Sequence, residues 1–126
     1  MAPARILVVD DNDAIRSVVS KILSGLGYEV ASADNGESGL SVFLRNKFDI
    51  VLSDYEMPGM DGLALACLIK QHSPGVAVVI MTGSGKESMI SGKINVVDEV
   101  IAKPFSLEKL DGTIRNLHGK VVRAYP

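Results

Sequence analysis

Two hydrophobic rhythms alternate along the chain. Short runs rich in Val and Ile stand at Arg5–Val9, Tyr28–Ala33, Phe48–Ser53, Val76–Thr82 and Val97–Ile101. Continuous β-branched runs of this length read as strands covered on both faces, as a parallel sheet requires. Tyr28-Glu29-Val30-Ala31 is the most mixed of them and is predicted to lie nearest an edge. Between the runs the spacing changes. Ile15, Val18, Val19, Ile22, Leu23 and Leu26 recur at threes and fours, one face of an amphipathic helix. Asp13 or Asn12 can cap its start, and Gly25 or Gly27 can end it. Leu40, Phe43 and Leu44 mark a second helix after Asp34-Asn35-Gly36. Leu65, Ala66, Leu68 and Ile69 mark a third, ending before Ser73-Pro74-Gly75, with Cys67 read as a core or semi-core residue among them. Leu107, Leu110, Ile114 and Leu117 mark the last, with Ser106 as its N-cap. Between Thr82 and Val97 the pattern weakens: Met89, Ile90 and Ile94 predict a short helix interrupted by Gly92. Gly119–Pro126 reads as a frayed tail.

Strand followed by helix, five times over, predicts an α/β fold: a doubly wound, five-stranded parallel sheet with helices on both faces. A length of 126 residues leaves room for one domain, with a core over about residues 5–117 and a short tail at 118–126. Charge narrows the functional classes. Thirteen Lys and Arg against fifteen Asp and Glu give a net charge of −2, which argues against binding nucleic acid through a basic surface. One cysteine rules out an internal disulfide and a multi-cysteine zinc site, and it suits a reducing compartment. The apolar runs are too short to span a bilayer, and Met1-Ala-Pro-Ala lacks the basic start of a signal peptide. A cytoplasmic protein without a membrane partner is therefore expected.

In a doubly wound sheet, ligands bind beyond the carboxyl ends of the strands. The first run ends in Val9-Asp10-Asp11, the third in Ser53-Asp54, the fourth in Met81-Thr82 and the fifth in Ala102-Lys103-Pro104. Three carboxylates, a hydroxyl and an ammonium thus converge on one rim. Two carboxylates 4 Å apart repel by about 4 kcal/mol at an effective dielectric near 20. Lys103 offsets one of three charges, so the site calls for a hard divalent cation, and Mg2+ suits an all-oxygen donor set. A cation with an open position can hold a phosphoryl oxygen while Asp54 attacks phosphorus, since phosphoryl transfer needs mainly positioning and charge neutralisation. Lys103 and the Thr82 hydroxyl would then meet the transferred group. Pro104 predicts a fixed turn after the lysine, a cis bond being one way to make it.

These motifs resemble the receiver domain of two-component response regulators over almost the whole chain, from Arg5 to about Leu117. The resemblance is carried by Ile6-Leu7-Val8-Val9-Asp10-Asp11, by Asp54-Tyr55-Glu56-Met57-Pro58-Gly59-Met60-Asp61-Gly62, by Thr82, and by Lys103-Pro104-Phe105. It implies a flavodoxin-like sheet, a phosphoacceptor at Asp54, and Mg2+ held by Asp10, Asp11, Asp54 and the backbone carbonyl of Glu56. It implies that Thr82 binds the phosphoryl group and Lys103 pairs with it. The implied donor is a phosphohistidine on a sensor histidine kinase or phosphotransfer protein, and the implied reader is a downstream target protein bound through the face formed by the fifth strand and the helix before it. A monomer or weak dimer is expected, one that catalyses only its own phosphorylation and dephosphorylation and is not an enzyme in the wider sense. One departure stands out. Receivers usually carry Tyr or Phe three residues before the lysine, and here that residue is Val100. The signal is therefore expected to leave through the backbone of Thr82–Ser88 and the helix that follows.

Plainer readings compete for each residue. Asp10 and Asp11 could cap a helix, Thr82 could be a β-former and Lys103 a solvated lysine, yet their convergence with Asp54 favours the site. His72 and His118 lack partners at ligand spacing and are expected at the surface, while Met57, Met60, Met81 and Met89 are expected in packing. A pseudo-receiver acting only as an interaction module, or a receiver cut from a longer regulator or hybrid kinase, remains an alternative. A phosphatase would need a cap domain that this length does not supply, and a flavin carrier would not place Asp10-Asp11-Asn12-Asp13 where a phosphate must sit.

Overall fold

The computed structural model describes residues 3–83, 86–87, 90 and 95–124, the last five as backbone. Its elements are β1 (Arg5–Val9), α1 (Asp13–Gly25), β2 (Glu29–Ala33), α2 (Gly36–Arg45), β3 (Ile50–Asp54), α3 (Gly62–His72), β4 (Ala77–Gly83), β5 (Glu99–Lys103) and α4 (Leu107–Ala124). The five strands form one parallel sheet in the order β2-β1-β3-β4-β5. This is the doubly wound α/β fold expected, with the mixed strand β2 at an edge. Strand order reverses between β1 and β3, which places the natural ligand crevice between their carboxyl ends.

Strand alternation sorts the core into two layers. Leu7, Val9, Val51, Val78 and Ile80 pack with Phe43 of α2 and with Leu65, Ala66 and Ile69 of α3. Ile6, Val8, Leu52, Val79, Met81 and Ile101 pack on the other face with Val19 and Leu23 of α1 and with Leu110, Ile114 and Leu117 of α4. The central strand β3 is buried along its whole length. Side-chain oxygens cap the helices: Asn12 accepts from Ile15 N at 3.0 Å, Asn35 from Ser38 N at 2.7 Å, Asp61 from Ala64 N at 2.8 Å and Ser106 from Lys109 N at 3.0 Å.

Several expectations need correction. Of the two candidate caps Asn12 is the one that caps α1, and Asp13 pairs with Arg16 at 2.6 Å. Cys67 is exposed, as are Val18 and Leu26, because a helix lying on a sheet buries a narrower stripe than its apolar residues cover. Gly119 does not begin a frayed tail; α4 runs on to Ala124. The boundary had been set at a glycine that costs a helix interior about 1 kcal/mol, too little to stop a helix already under way. His72 is exposed, but His118 is half-buried, edge-on to Tyr28 at 6.2 Å. The later strands end one or two residues further on than their hydrophobic runs: hydrogen bonding to the neighbour, not apolarity, sets their extent. Asp54 pairs in register with Met81, Thr82 with Ala102 and Gly83 with Lys103, so the polar rim residues belong to the ladder itself. In the segment between β4 and β5, Ile90 is fully buried and its N–H reaches the Lys86 carbonyl at 3.2 Å. Met89 and Ile94, the rest of that predicted helix, its interruption at Gly92, and Ser88, which ends the expected signal route, lie outside the described residues.

Candidate functional site

Four neighbouring strands deliver the polar residues to one rim. Asp10 follows β1 and is fully buried; Asp54 ends β3 and is 8% exposed; Thr82 lies near the end of β4 and is 1% exposed. Lys103 closes β5, and its Nζ donates to Asp54 Oδ1 at 3.0 Å and to Asp10 Oδ2 at 3.1 Å. The other Asp10 oxygen accepts from Asn12 N at 2.9 Å, so this carboxylate is clamped by both a backbone amide and an ammonium. Asp11 is exposed, and one carboxylate oxygen from each of Asp10, Asp11 and Asp54 lies within 4.8 Å of the others.

Local sequence explains how the strand that carries Asp54 is held. The Asp10 amide donates to Ala33 O at 3.2 Å, and the Tyr55 amide donates to Met81 O at 2.8 Å, which carries the pairing past Asp54. Gly62 then starts α3 hard against that strand end, its amide donating to Tyr55 O at 2.9 Å. A Cβ at Gly62 would stand 2.4 Å from the Asp54 carbonyl oxygen, so only glycine permits this approach. The Lys103–Pro104 bond is cis.

The electrostatics are unbalanced. Three carboxylates face one ammonium, and at 4.8 Å each carboxylate pair repels by roughly 3 kcal/mol at an effective dielectric near 20. Burial pushes the Asp54 carboxyl above its ordinary value; Lys103 works against this and Asp10 and Asp11 add to it. Burial alone would lower the Lys103 ammonium, but its bonds to Asp54 and Asp10 and their charge together hold it above the usual lysine value. The Thr82 hydroxyl is buried and has no hydrogen-bond partner among the described residues. An unmet buried donor costs about 1–3 kcal/mol, which an incoming anionic oxygen would relieve. The donor set is all oxygen, carries excess negative charge and includes one exposed carboxylate, and so fits a hard divalent cation such as Mg2+.

The structure thus brings together Asp10, Asp11, Asp54, Thr82 and Lys103. Glu56 lies on the adjoining loop, its exposed side chain paired with Lys86. Two residues were not singled out from the sequence. Arg16 donates from Nη1 to the Asp10 carbonyl at 2.8 Å, fixing the acidic loop from the first turns of α1. Its only signal is a basic residue three positions after Asp13. Gly62 stands in the sequence only as the last residue of the motif that begins at Asp54, and the contact that requires it joins α3 to the strand that carries Asp54.

The fold agrees with the comparisons. The response regulator receiver domain family matches residues 6–115, and the chain belongs to it. The ycf27 transcriptional regulator of Porphyridium aerugineum is 34% identical over 124 residues, which cover 98% of this chain and 52% of that protein. The chain accordingly spans about half the length of that relative. The CheY chemotaxis protein of Rhizobium etli is 29% identical over 91% of this chain and 92% of its own length. Among solved structures, the response regulator TrrA of Thermotoga maritima, in complex with Mg2+ and BeF, superposes with a TM-score of 0.81 at 33% identity, covering 90% of this chain and 98% of that one.

Proposed function

We propose that residues 1–126 act as one receiver unit in a two-component phosphorelay, with Asp54 as the phosphoryl acceptor and a bound Mg2+ held by Asp10, Asp11, Asp54 and the Glu56 backbone carbonyl. The observation that carries this reading is a buried carboxylate, Asp54, bonded at 3.0 Å to Lys103 and sharing its rim with an unpartnered buried hydroxyl at Thr82. When bound, Mg2+ would draw negative charge from the phosphoryl oxygens and from the acidic cluster.

The chain's own residues do the rest. Asp54 offers a carboxylate oxygen as nucleophile; its bond to phosphorus forms as the bond from phosphorus to the donor breaks, leaving an acyl phosphate and a released donor. Lys103, already between Asp54 and Asp10, supplies the fixed positive charge. The Thr82 hydroxyl gains its missing acceptor in a phosphoryl oxygen. Asp10 stays clamped between the Asn12 amide and Lys103, and Arg16 keeps its loop in place. The donor on this reading is the phosphohistidine of a sensor kinase or phosphotransfer protein, and the mark changes binding to a downstream target protein. The anion in the Thermotoga complex is a phosphoryl mimic bound with Mg2+ in that relative, which supports the reading. So does the full-length match to a chemotaxis receiver. Cytoplasmic residence, where such kinases expose their phosphohistidine, belongs to the same proposal; no helix among the described residues is long and apolar enough to cross a membrane.

The test is uptake of radiolabelled phosphoryl group from acetyl phosphate. Asp54→Asn should abolish uptake, and chelating Mg2+ should do the same to the wild-type protein. Undiminished labelling of Asp54→Asn would refute the acceptor assignment.

A further inference from the structure

Asp10, Asp11 and Asn12 join β1 to α1. The Asn12 amide donates to Asp10 Oδ1 at 2.9 Å, and the Arg16 amide donates to the Asn12 carbonyl at 3.0 Å. Asp11 differs from its neighbours. Its side chain is exposed and has no hydrogen bond among the described residues, so its carboxylate is placed only by the backbone that carries it. The Arg16 guanidinium holds that backbone: Nη1 donates to the Asp10 carbonyl at 2.8 Å, and Nη2 donates to Asp13 Oδ1 at 2.6 Å. A peptide bond is planar, so fixing the Asp10 carbonyl also fixes the nitrogen and Cα of Asp11. Asp13 meanwhile offsets the guanidinium's charge, and the clasp steadies the loop without opposing a cation.

We infer that Arg16 sets the affinity of the rim for Mg2+ by fixing the Asp10–Asp11 peptide and, through it, the place of the Asp11 carboxylate. The inference rests on the metal site proposed above. Arg16 is a positioning residue, since it bonds to the backbone of one ligand residue and to neither metal nor phosphoryl group. A planar fork suits the task, because its donors at fixed spacing meet a carbonyl and a carboxylate together, and an ammonium lacks that geometry. Charge and position predict opposite results. By charge alone, deleting a cation near three carboxylates tightens their hold on a dication, and deleting the Asp13 carboxylate loosens it. By position, deleting Arg16 loosens the hold. Deleting the Asp13 carboxylate then changes little, because the bond to the Asp10 carbonyl remains.

The test is a Mg2+ titration of the 126-residue chain, followed by backbone amide chemical shifts, in wild type, Arg16→Ala, Arg16→Lys and Asp13→Asn. The same spectra report whether each variant is folded. Arg16→Ala should raise the Mg2+ dissociation constant about tenfold or more, the usual cost of removing a group that orients a metal ligand. Arg16→Lys, which keeps the charge without the fork, should also bind more weakly than wild type, and it carries the test if Arg16→Ala does not fold. Asp13→Asn should stay within about twofold of wild type, as an exposed ion pair allows. Unchanged or tighter binding in Arg16→Ala, wild-type affinity in Arg16→Lys, or a loss in Asp13→Asn as large as in Arg16→Ala would each overturn the inference and leave the metal site standing. So would a lower denaturant midpoint in Arg16→Ala at unchanged Mg2+ affinity, the mark of a purely structural role. A wild-type protein that binds no Mg2+ would refute the metal site, and the role of Arg16 with it.

Discussion

At the amino end of the sheet, Lys70 donates at 2.7 Å both to Asp98 Oδ2 and to the Val76 carbonyl, and the Val78 amide donates to the same Asp98 oxygen at 2.7 Å. At the carboxyl end, Lys103 bridges Asp54 and Asp10 at 3.0 and 3.1 Å while Asp11 stands nearby. Both clusters join a lysine to a carboxylate distant in sequence, and both lysines are largely covered, with side chains 16% and 21% exposed. Their accounting differs. The Lys70 cluster is neutral and each partner is bonded, so it is complete as it stands. The Lys103 cluster carries surplus negative charge and lies beside a buried hydroxyl with no partner among the described residues. Residues that serve only the fold balance their charges; a site keeps an imbalance that a ligand must resolve.

The largest test of that contrast is to remove each lysine. Lys103→Ala should slow phosphoryl uptake from acetyl phosphate by about 100-fold or more, the usual effect of deleting one donor aimed at developing charge. Lys70→Ala should leave the initial rate within about twofold. Equal losses in the two variants would erase the distinction.

Stability should show the reverse ranking. Asp98→Ala strands the Lys70 ammonium and the Val78 amide, and it should cost about 2–3 kcal/mol in the denaturant midpoint with little change in uptake. Asp54→Asn should instead stabilise the Mg2+-free protein at neutral pH, by on the order of 1 kcal/mol, because it relieves a crowded buried charge. Added Mg2+ should then narrow the gap, stabilising wild type more than the variant, since only the complete acidic cluster binds it well.

Much of this contrast was legible in the sequence and some was not. Asp10, Asp54, Thr82 and Lys103 could be read because each ends a β-branched run, and parallel strands bring those ends together. The paired layers were legible for the same reason. The Lys70–Asp98 cluster was not: its partners are 28 residues apart and nothing local marks them. Lys86 and Glu56, 30 apart, are alike in this. Gly62 was visible as part of the motif after Asp54, but its need for closeness to Asp54 depends on where α3 crosses the strand. Exposure of Cys67 and Val18 also depends on how each helix rolls onto the sheet, which spacing predicts only to within a residue or so.

The smallest effect is the dependence of stability on pH, and here the two partners at the rim pull in opposite directions. The Lys103 ammonium is held above its ordinary value of 10.5, so its contribution is fully present below that pH and is lost only as the pH climbs through the raised value. Asp54 is raised above 3.8, chiefly by burial, so the protonated carboxyl is the form that folding favours. Its contribution is present below 3.8 and lost as pH rises through the folded-state value. Wild type minus Asp54→Asn should therefore become less favourable as the Mg2+-free protein is taken upward through the carboxylate range, then level off toward neutrality. Chemical denaturation of both proteins at a series of pH values measures this difference directly. With Mg2+ saturating, the cation competes with the proton for Asp54, and the difference should flatten or change sign. A difference that grows more favourable with rising pH in the absence of Mg2+ would mean that Lys103 outweighs burial at Asp54. The rim would then be a balanced ion pair like the one at Lys70.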